Sequence, residues 1–477
     1  MLRPPTNAAR PPRPVQWTPV AAAPYLGRMH HARLIARATR CLPVLAAAWL
    51  GASRAAPCLE PLPPPPAPPP GWQATEQLSS PATGPVTTSA PALAVNAKGT
   101  VLVAWHARQP KPLTQPPVYE DRVQVARHTR CEGWTSGTLG PALSLPPQGA
   151  PVEAAIDAQG RAWVAWRAAL PGHTPLVVSE AAPGGDFDFG SVVAAGAMSD
   201  LPITYRLGVT GNGEAFLAWT DSQQGLQLVR RPSAGAWTAP LQLEGPATVY
   251  TLSFGLAVST GGSAVVHWST GDFKGHVRRY AGGWSAVHHL AAQPSLPGPL
   301  AVDATGRAVV VRWQIGKSPR VSDYDPAFGW SPDVAVAGFE RSLGVALDSS
   351  GRAVMFGGPA GNGIAVVRRP DGAWRAPAVM GGIDGWPQVY QEPVADIGID
   401  GNGRALMVWL ESGVVWARHH RGECTGWNLN CGWGPTVALS AGPLPAEGRP
   451  RAAVAADGRA VVVWRQGTDL FLRRYQP

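Results

Sequence analysis

Two acids and two bases recur at matched places in this chain. Glu153, Arg206, Asp396 and Arg451 each stand seven residues ahead of a turn glycine, at Gly160, Gly213, Gly403 and Gly458, where a strand begins. A guanidinium is a planar fork of N–H donors that matches a carboxylate, sulfate or phosphate bidentately. Gathered around one opening with Arg341, and with Tyr205, Tyr250 and Tyr390 as stacking faces, these groups would make a polar funnel for an anionic ligand. The same spacing permits a plainer chemistry. Glu153 and Arg206 hold equivalent places in successive repeats, as do Asp396 and Arg451, so each acid can neutralise the neighbouring base across a repeat boundary. Partly desolvated pairs of that kind set register more than they add stability.

A second set of bases directly follows turn glycines: Arg161, Arg307, Arg352, Arg404 and Arg459. On the opposite face they form a basic ring, extended by the strand-ending Arg127, Arg231, Arg279, Arg369 and Arg474. Such a ring would dock on an acidic polymer such as lipopolysaccharide, with binding that weakens as salt rises. Alternatively these side chains stack on tryptophans or pair with the turn aspartates and hold the rim together. Cys424 and Cys431 lie in a glycine-rich loop that suits a local disulfide. No His/Cys set has metal-ligand spacing, and nucleophile elbows and phosphate-cradling loops are missing, so no metal or cofactor is expected.

What must position these residues is a repeat. An apolar strand, a turn built on Asp-x-x-Gly, then Ala and a strand ending in Trp occur eight times, most clearly in Ala155-Ile-Asp-Ala-Gln-Gly-Arg-Ala-Trp-Val-Ala-Trp166 and Gly398-Ile-Asp-Gly-Asn-Gly-Arg-Ala-Leu-Met-Val-Trp409. The turn glycines Gly99, Gly160, Gly213, Gly262, Gly306, Gly351, Gly403 and Gly458 are 44 to 61 residues apart, the length of a four-stranded propeller blade. Ala or Gly stands five residues before each of them, as crowding near an axis demands, and the next residue is always Val, Ile or Leu. Strands apolar on both faces suit sheets packed face to face. Beyond strand B, Val229-Arg-Arg-Pro-Ser-Ala-Gly-Ala-Trp237 and Val367-Arg-Arg-Pro-Asp-Gly-Ala-Trp374 read as an outer hairpin. Three copies depart: blade two has Phe187 and Phe189 for its outer Trp, blade five carries Trp313 one place late, which implies a bulge, and blade six has Gly357 at the strand B Trp position.

The chain ends at Pro477 after three strands of its eighth copy, while Gly71-Trp72-Gln-Ala-Thr-Glu-Gln-Leu78 stands alone ahead of the first and matches the fourth strand Ala236-Trp237-Thr-Ala-Pro-Leu-Gln-Leu243. The fold expected is therefore all-β: an eight-bladed β-propeller of four-stranded antiparallel blades over 71–477, its N-terminal strand completing the last blade and removing an open sheet edge. Asp-Gly-Ala-Trp374 resembles a degenerate Asp-box, Ser-x-Asp-x-Gly-x-x-Trp, of sialidase-type (BNR) propellers, and the whole repeat is similar to those of many secreted bacterial propellers; the box is incomplete in every blade. A sialidase-like glycoside hydrolase would need an arginine triad, a Tyr nucleophile with a Glu partner and an acid Asp at the mouth. Arg206, Arg341, Arg451, Tyr390 and Glu392 can be arranged to resemble that set, but no Arg-Ile-Pro signature accompanies them.

The remaining segments point to export. Met29 is a plausible start, followed by the basic stretch His30 to Arg40, the apolar run Cys41 to Gly51 and the small-x-Ala site Ser53-Arg54-Ala55. That run is about half the ~20 residues a membrane-spanning helix needs. Residues 1–55 thus read as upstream segment and signal peptide, and 56–70 as a proline-rich linker. Cys58 before this stiff spacer resembles a lipoprotein tether, against which Pro57 stands; otherwise it pairs with Cys131. The net charge of +9 is spread through the repeats without a dense cluster, so nucleic acid is not an expected partner. The expectation is an exported, non-catalytic scaffold of the cell envelope or its surroundings, binding a glycan or protein partner of anionic character. A sialidase-like hydrolase and a structural subunit of an envelope complex are the alternatives.

Overall fold

A computed structural model describes residues 71–477 apart from 80–83, 88–89, 111–118, 131, 143–151, 169–174, 195–204, 222–224, 246–253, 271, 291–294, 315–316, 359–361, 369–371, 384–393, 423–431 and 443. Tyr250, Tyr390, Glu392 and the cysteines Cys58, Cys131, Cys424 and Cys431 lie outside the described residues, as does the side chain of Arg341.

Eight antiparallel sheets follow one another along the chain. In blade three, strands A to D run outward as Tyr205–Val209, Ala215–Asp221, Gly225–Arg231 and Leu241–Glu244. Blade seven repeats this with Ala395–Ile399, Ala405–Glu411, Val414–His420 and Trp433–Ala438. Each inner strand touches the inner strands of both neighbouring blades, and Ala92–Val95 of blade one meets Ala446–Val454 of blade eight, which closes the ring. The protein is an eight-bladed β-propeller.

The A–B turn forms because a short polar side chain ties down its own backbone. Asp157 Oδ1 accepts from the N–H groups of Gln159, Gly160 and Arg161 at 2.8–2.9 Å, and Asp303, Asp348 and Asp400 accept from the residues on either side of their turn glycines. The small residue five places before the turn glycine answers the next blade. A β-carbon on Gly398 would fall 2.8 Å from Val454 Cγ2, and one on Gly208 would run into Val258. The crowding is between successive inner strands, which are themselves half-exposed along Phe254–Val258 and Ala395–Ile399, as walls of an axial channel are.

Between blades the core is apolar. The strand B tryptophan packs on the preceding blade: Trp219 lies among Ala165, Leu176 and Val178 of blade two, and Trp105 among Val463, Leu470 and Leu472 of blade eight. Burying each such ring stabilises by about 1.5–3 kcal/mol. Farther out, two adjacent residues at the end of strand C key the seams, the first reaching the next blade and the second receiving the previous one. Glu180 thus pairs with Arg231 and Asp323 with Arg368, Arg230 bonds the Tyr280 hydroxyl, and the Arg279 guanidinium lies 4.7 Å from the centre of the Tyr324 ring. His419 and Tyr475 stack with centroids 3.8 Å apart, and Arg474 Nη1 lies 3.3 Å from His128 Nε2.

Closure follows the pattern expected. Gly71–Trp72 and Glu76–Gln77 pair antiparallel with Asp469–Gln476, with Trp72 opposite Tyr475 and Glu76 opposite Leu472. Glu76 takes Arg474 at 2.5 Å with one carboxylate oxygen and the indole N–H of Trp134, in blade one, at 2.8 Å with the other. The bulge of blade five is present at Arg312/Gln314. Arg312, six residues after Gly306 and just before the bulge, stands where six other blades place tryptophan, fully buried, held by Ser295 Oγ at 3.1 Å and paired with Asp333. Strand alternation turns Trp313 toward blade six, which has Gly357 at the tryptophan position. In blade two, Phe187 takes the bridge to Ala181, while Phe189 is fully exposed.

Candidate functional site

The residues ahead of the A strands converge at the face where strands A begin. Arg206 Nη1 donates to Glu153 Oε1 at 2.9 Å across the seam between blades two and three, and to its neighbour's carbonyl, Tyr205 O, at 3.0 Å. Both charged side chains are partly buried, 28% and 16% exposed, so the pair is shielded from bulk water while still reachable. Tyr205, expected as a stacking face, is instead fully buried among Trp163, Leu207 and Trp219. Burial first, and then the Glu153 carboxylate, push its hydroxyl well above the ordinary tyrosine range. Inward alternation of a strand whose next residue, Arg206, points to the mouth dictates that placement.

Across the ring, Asp396 is gripped from blade eight by two arginines. Its Oδ1 takes Arg449 Nη2 at 3.1 Å, and its Oδ2 lies 3.2 Å from Arg451 Nε and accepts the Ala452 N–H at 3.0 Å. Arg449 also donates to Ala395 O at 3.1 Å. Sequence reasoning missed Arg449, although the alternation Arg-Pro-Arg places it on the same strand face as Arg451. Asp396 thus receives two guanidinium groups from one strand. The Arg451 side chain is 27% exposed and its two Nη atoms have no partner among the described residues. Arg341 opens the strand Arg341–Leu347 on the same face.

The basic ring on the opposite face is woven into the scaffold. Arg352 and Arg404 pair through Nε with Asp348 and Asp400 at 2.9 and 2.6 Å, and Arg459 with Asp457 at 2.6 Å. Arg307 reaches Asp325 at 3.3 Å, and Arg161 donates to Ser233 O at 3.0 Å with Glu180 3.6 Å away. Four of these guanidinium groups lie against the turn glycine of the next blade: Arg307 at Gly351, Arg352 at Gly403, Arg404 at Gly458 and Arg459 at Gly99. Of the strand C arginines, Arg369 lies outside the described residues, while Arg127, Arg231, Arg279 and Arg474 are engaged, Arg127 with the carbonyls of Ala182 and Gly185 at 3.2 and 2.8 Å.

Among the described residues no group of three His, Cys, Asp or Glu side chains is arranged to hold a metal, and no helix is long and apolar enough to cross a membrane. No family model and no curated protein matches the chain. Solved structures do. A lectin, BP39L from Burkholderia pseudomallei, is 13% identical with a TM-score of 0.51, over 74% of this chain and 100% of its own. Virginiamycin B lyase from Staphylococcus aureus is 11% identical with a TM-score of 0.43, over 68% and 93%. Aleuria aurantia lectin is 14% identical with a TM-score of 0.37, over 60% and 94%. At 13% identity what the first of these shares with this chain is the fold.

Proposed function

We propose that this propeller is an exported, non-catalytic scaffold whose channel mouth binds an acidic glycan. The observation that carries the reading is the Arg451 guanidinium at the rim: it meets Asp396 through Nε, and its Nη fork has no partner among the described residues and is partly exposed. A sugar carboxylate can take such a fork with two parallel hydrogen bonds, while the shielding of the pair raises the worth of each. The Glu153–Arg206 pair across the ring offers donors and acceptors together, which suits vicinal hydroxyls. That a lectin has this same fold shows what the architecture can present, but the case for this chain rests on Arg451. Export is supported by the basic and apolar stretches from His30 to Gly51 and the site at Ala55.

Glycan-array binding by the chain from Ala55 onward, followed by titration of the best acidic hit, tests this. Arg451→Ala is expected to weaken that hit at least tenfold with the fold intact. Unchanged binding in the variant would remove the mouth from consideration. Turnover of chromogenic glycosides lost in both Arg206→Ala and Arg451→Ala would make the protein a hydrolase of the sialidase-like kind instead. Co-purifying envelope proteins without glycan affinity would favour a structural subunit.

A further inference from the structure

Two seams of the ring are built alike except for one carboxylate. Between blades three and four, Glu214 directly follows the turn glycine Gly213, and its Oε1 takes Arg230 at 2.5 Å and the Tyr280 hydroxyl at 3.2 Å. Between blades seven and eight the same three places hold Arg404, His419 and Tyr475. Arg404 directly follows Gly403, His419 stands opposite Leu406 as Arg230 stands opposite Phe216, and Tyr475 stands opposite Ala460 as Tyr280 stands opposite Ala264. The tyrosine is kept, and the acid is replaced by a base.

Space stands where the acid would be. Arg404, His419 and Tyr475 line one hollow of about 330 Å³, open to solvent on the face opposite the mouth, with Leu406, Val454 and Ala460 in its walls. Pro477 is exposed at the rim and makes no ion pair with a described residue. Arg404 spends Nε on Asp400 at 2.6 Å and Nη2 on Asp457 O at 2.9 Å, which leaves Nη1 without a partner among the described residues. The Tyr475 hydroxyl makes no hydrogen bond to a described residue either, and its ring lies on that of His419 with centroids 3.8 Å apart. His419 Nε2 is buried and unbonded. Buried polar atoms are ordinarily hydrogen-bonded, so an orphan in a cavity wall calls for a ligand. Burial first, and then the Arg421 guanidinium, hold His419 at about 4, so at neutral pH its ring is uncharged and carries its one hydrogen on whichever nitrogen meets an acceptor.

We propose that the seam between blades seven and eight binds a small aliphatic monocarboxylate, its carboxylate between Arg404 Nη1 and the Tyr475 hydroxyl and its chain against Leu406, Val454 and Ala460. An acid from solution does there what Glu214 does from within the chain. A doubly charged anion fits worse, because apolar walls leave the second charge unsolvated. Tyr475 is paired with Trp72 of the N-terminal strand, and the Trp72 ring lies 5.4 Å from that of His419. The ligand therefore ties blade seven to the strands that close the ring, and stability rises with its concentration. The site lies on the face opposite the mouth and its argument does not depend on the mouth.

Thermal unfolding of the chain from Ala55 onward in acetate, propionate and isovalerate, against chloride, sulfate and phosphate at equal ionic strength, tests the proposal. Tm should rise and saturate with the acids, at the lowest concentration with isovalerate, and should not saturate with the inorganic anions. In NMR titrations with isovalerate the ring signals of His419 should shift while those of His267, buried in blade four, stay in place. Tyr475→Phe keeps the ring stack and should weaken isovalerate at least fivefold; Arg404→Gln should weaken it at least tenfold. Arg451→Ala, at the mouth, should leave it unchanged, which separates this site from the glycan reading. The proposal is overturned if no acid gives a saturable rise, if sulfate or phosphate matches isovalerate, if His419 does not shift, if Tyr475→Phe binds within twofold of wild type, or if Arg451→Ala abolishes binding.

Discussion

The guanidinium of Arg459, in the last blade, lies across Gly99, the turn glycine of the first: a β-carbon there would fall 2.6 Å from Nη1 and 2.8 Å from Nη2. Gly99 has φ 79°, so alanine would meet two costs, backbone strain and collision. Gly99→Ala should destabilise by about 1–3 kcal/mol, read from the urea midpoint at constant m. Adding Arg459→Ala should recover the collision and leave about 1 kcal/mol of backbone cost. A strictly additive double variant would show that the two residues do not touch.

The eighth blade depends on strands from the other end of the chain. Removing residues 71–79 would bare the edge of Asp469–Gln476, uncover Leu470 and Leu472 and leave Arg474 without Glu76. Unpaired edges of this kind template association. Light scattering should show aggregation of the shortened chain at concentrations where the longer one stays clear. Glu76→Ala alone should cost about 1–2 kcal/mol, since both Arg474 and the Trp134 indole lose their acceptor.

Arg312 and Asp333 form a buried ion pair in the space other blades fill with indole. Truncating Arg312 leaves the buried Asp333 only the more exposed Arg320, at 3.5 Å, so Arg312→Ala should cost about 3 kcal/mol. Arg312→Ala with Asp333→Ala should cost less than the single change, because no uncompensated charge remains. Equal losses in both would argue against the pair as the cause.

Stability should fall in mild acid. Burial holds His106 at about 4, His267 at about 3 and His419 at about 4, against about 6.5 when unfolded. Between those values the unfolded chain binds protons that the folded one refuses, so each group removes up to about 1.4 kcal/mol per pH unit as pH drops below 6.5. The contribution is intact above about 6.5 and lost on the way down to about 4 for His106 and His419 and about 3 for His267. Urea midpoints measured from pH 7.5 to 4.5 should decline, and less steeply in His267→Gln. Identical slopes would assign the acid sensitivity elsewhere.

Blade number, turn positions and closure by Gly71–Trp72 were legible because each rests on a local requirement repeated eight times: a cap, a positive φ, a tryptophan at fixed offset. The seam pairs Glu153–Arg206 and Asp396–Arg451 were legible for the same reason, since equivalent places in adjacent repeats must lie side by side. Arg449 was not, because the strand it lies on, Ala446–Val454, runs past the inner strands of the other copies and carries a register shift of its own. Tyr205 read as a surface aromatic only while the direction of its strand face was unknown.

Period and composition alone therefore determined the ring, its closure and the order in which charges meet around it, since a repeat dictates its own neighbours. Tertiary structure alone decided which guanidinium groups are consumed by the scaffold and which keeps an exposed fork, because that turns on distances of a few tenths of an ångström between blades. It also decided that the arginine at the indole position of blade five is buried and paired with Asp333, because which acid reaches a buried base depends on how the outer strands of that blade fold back over it.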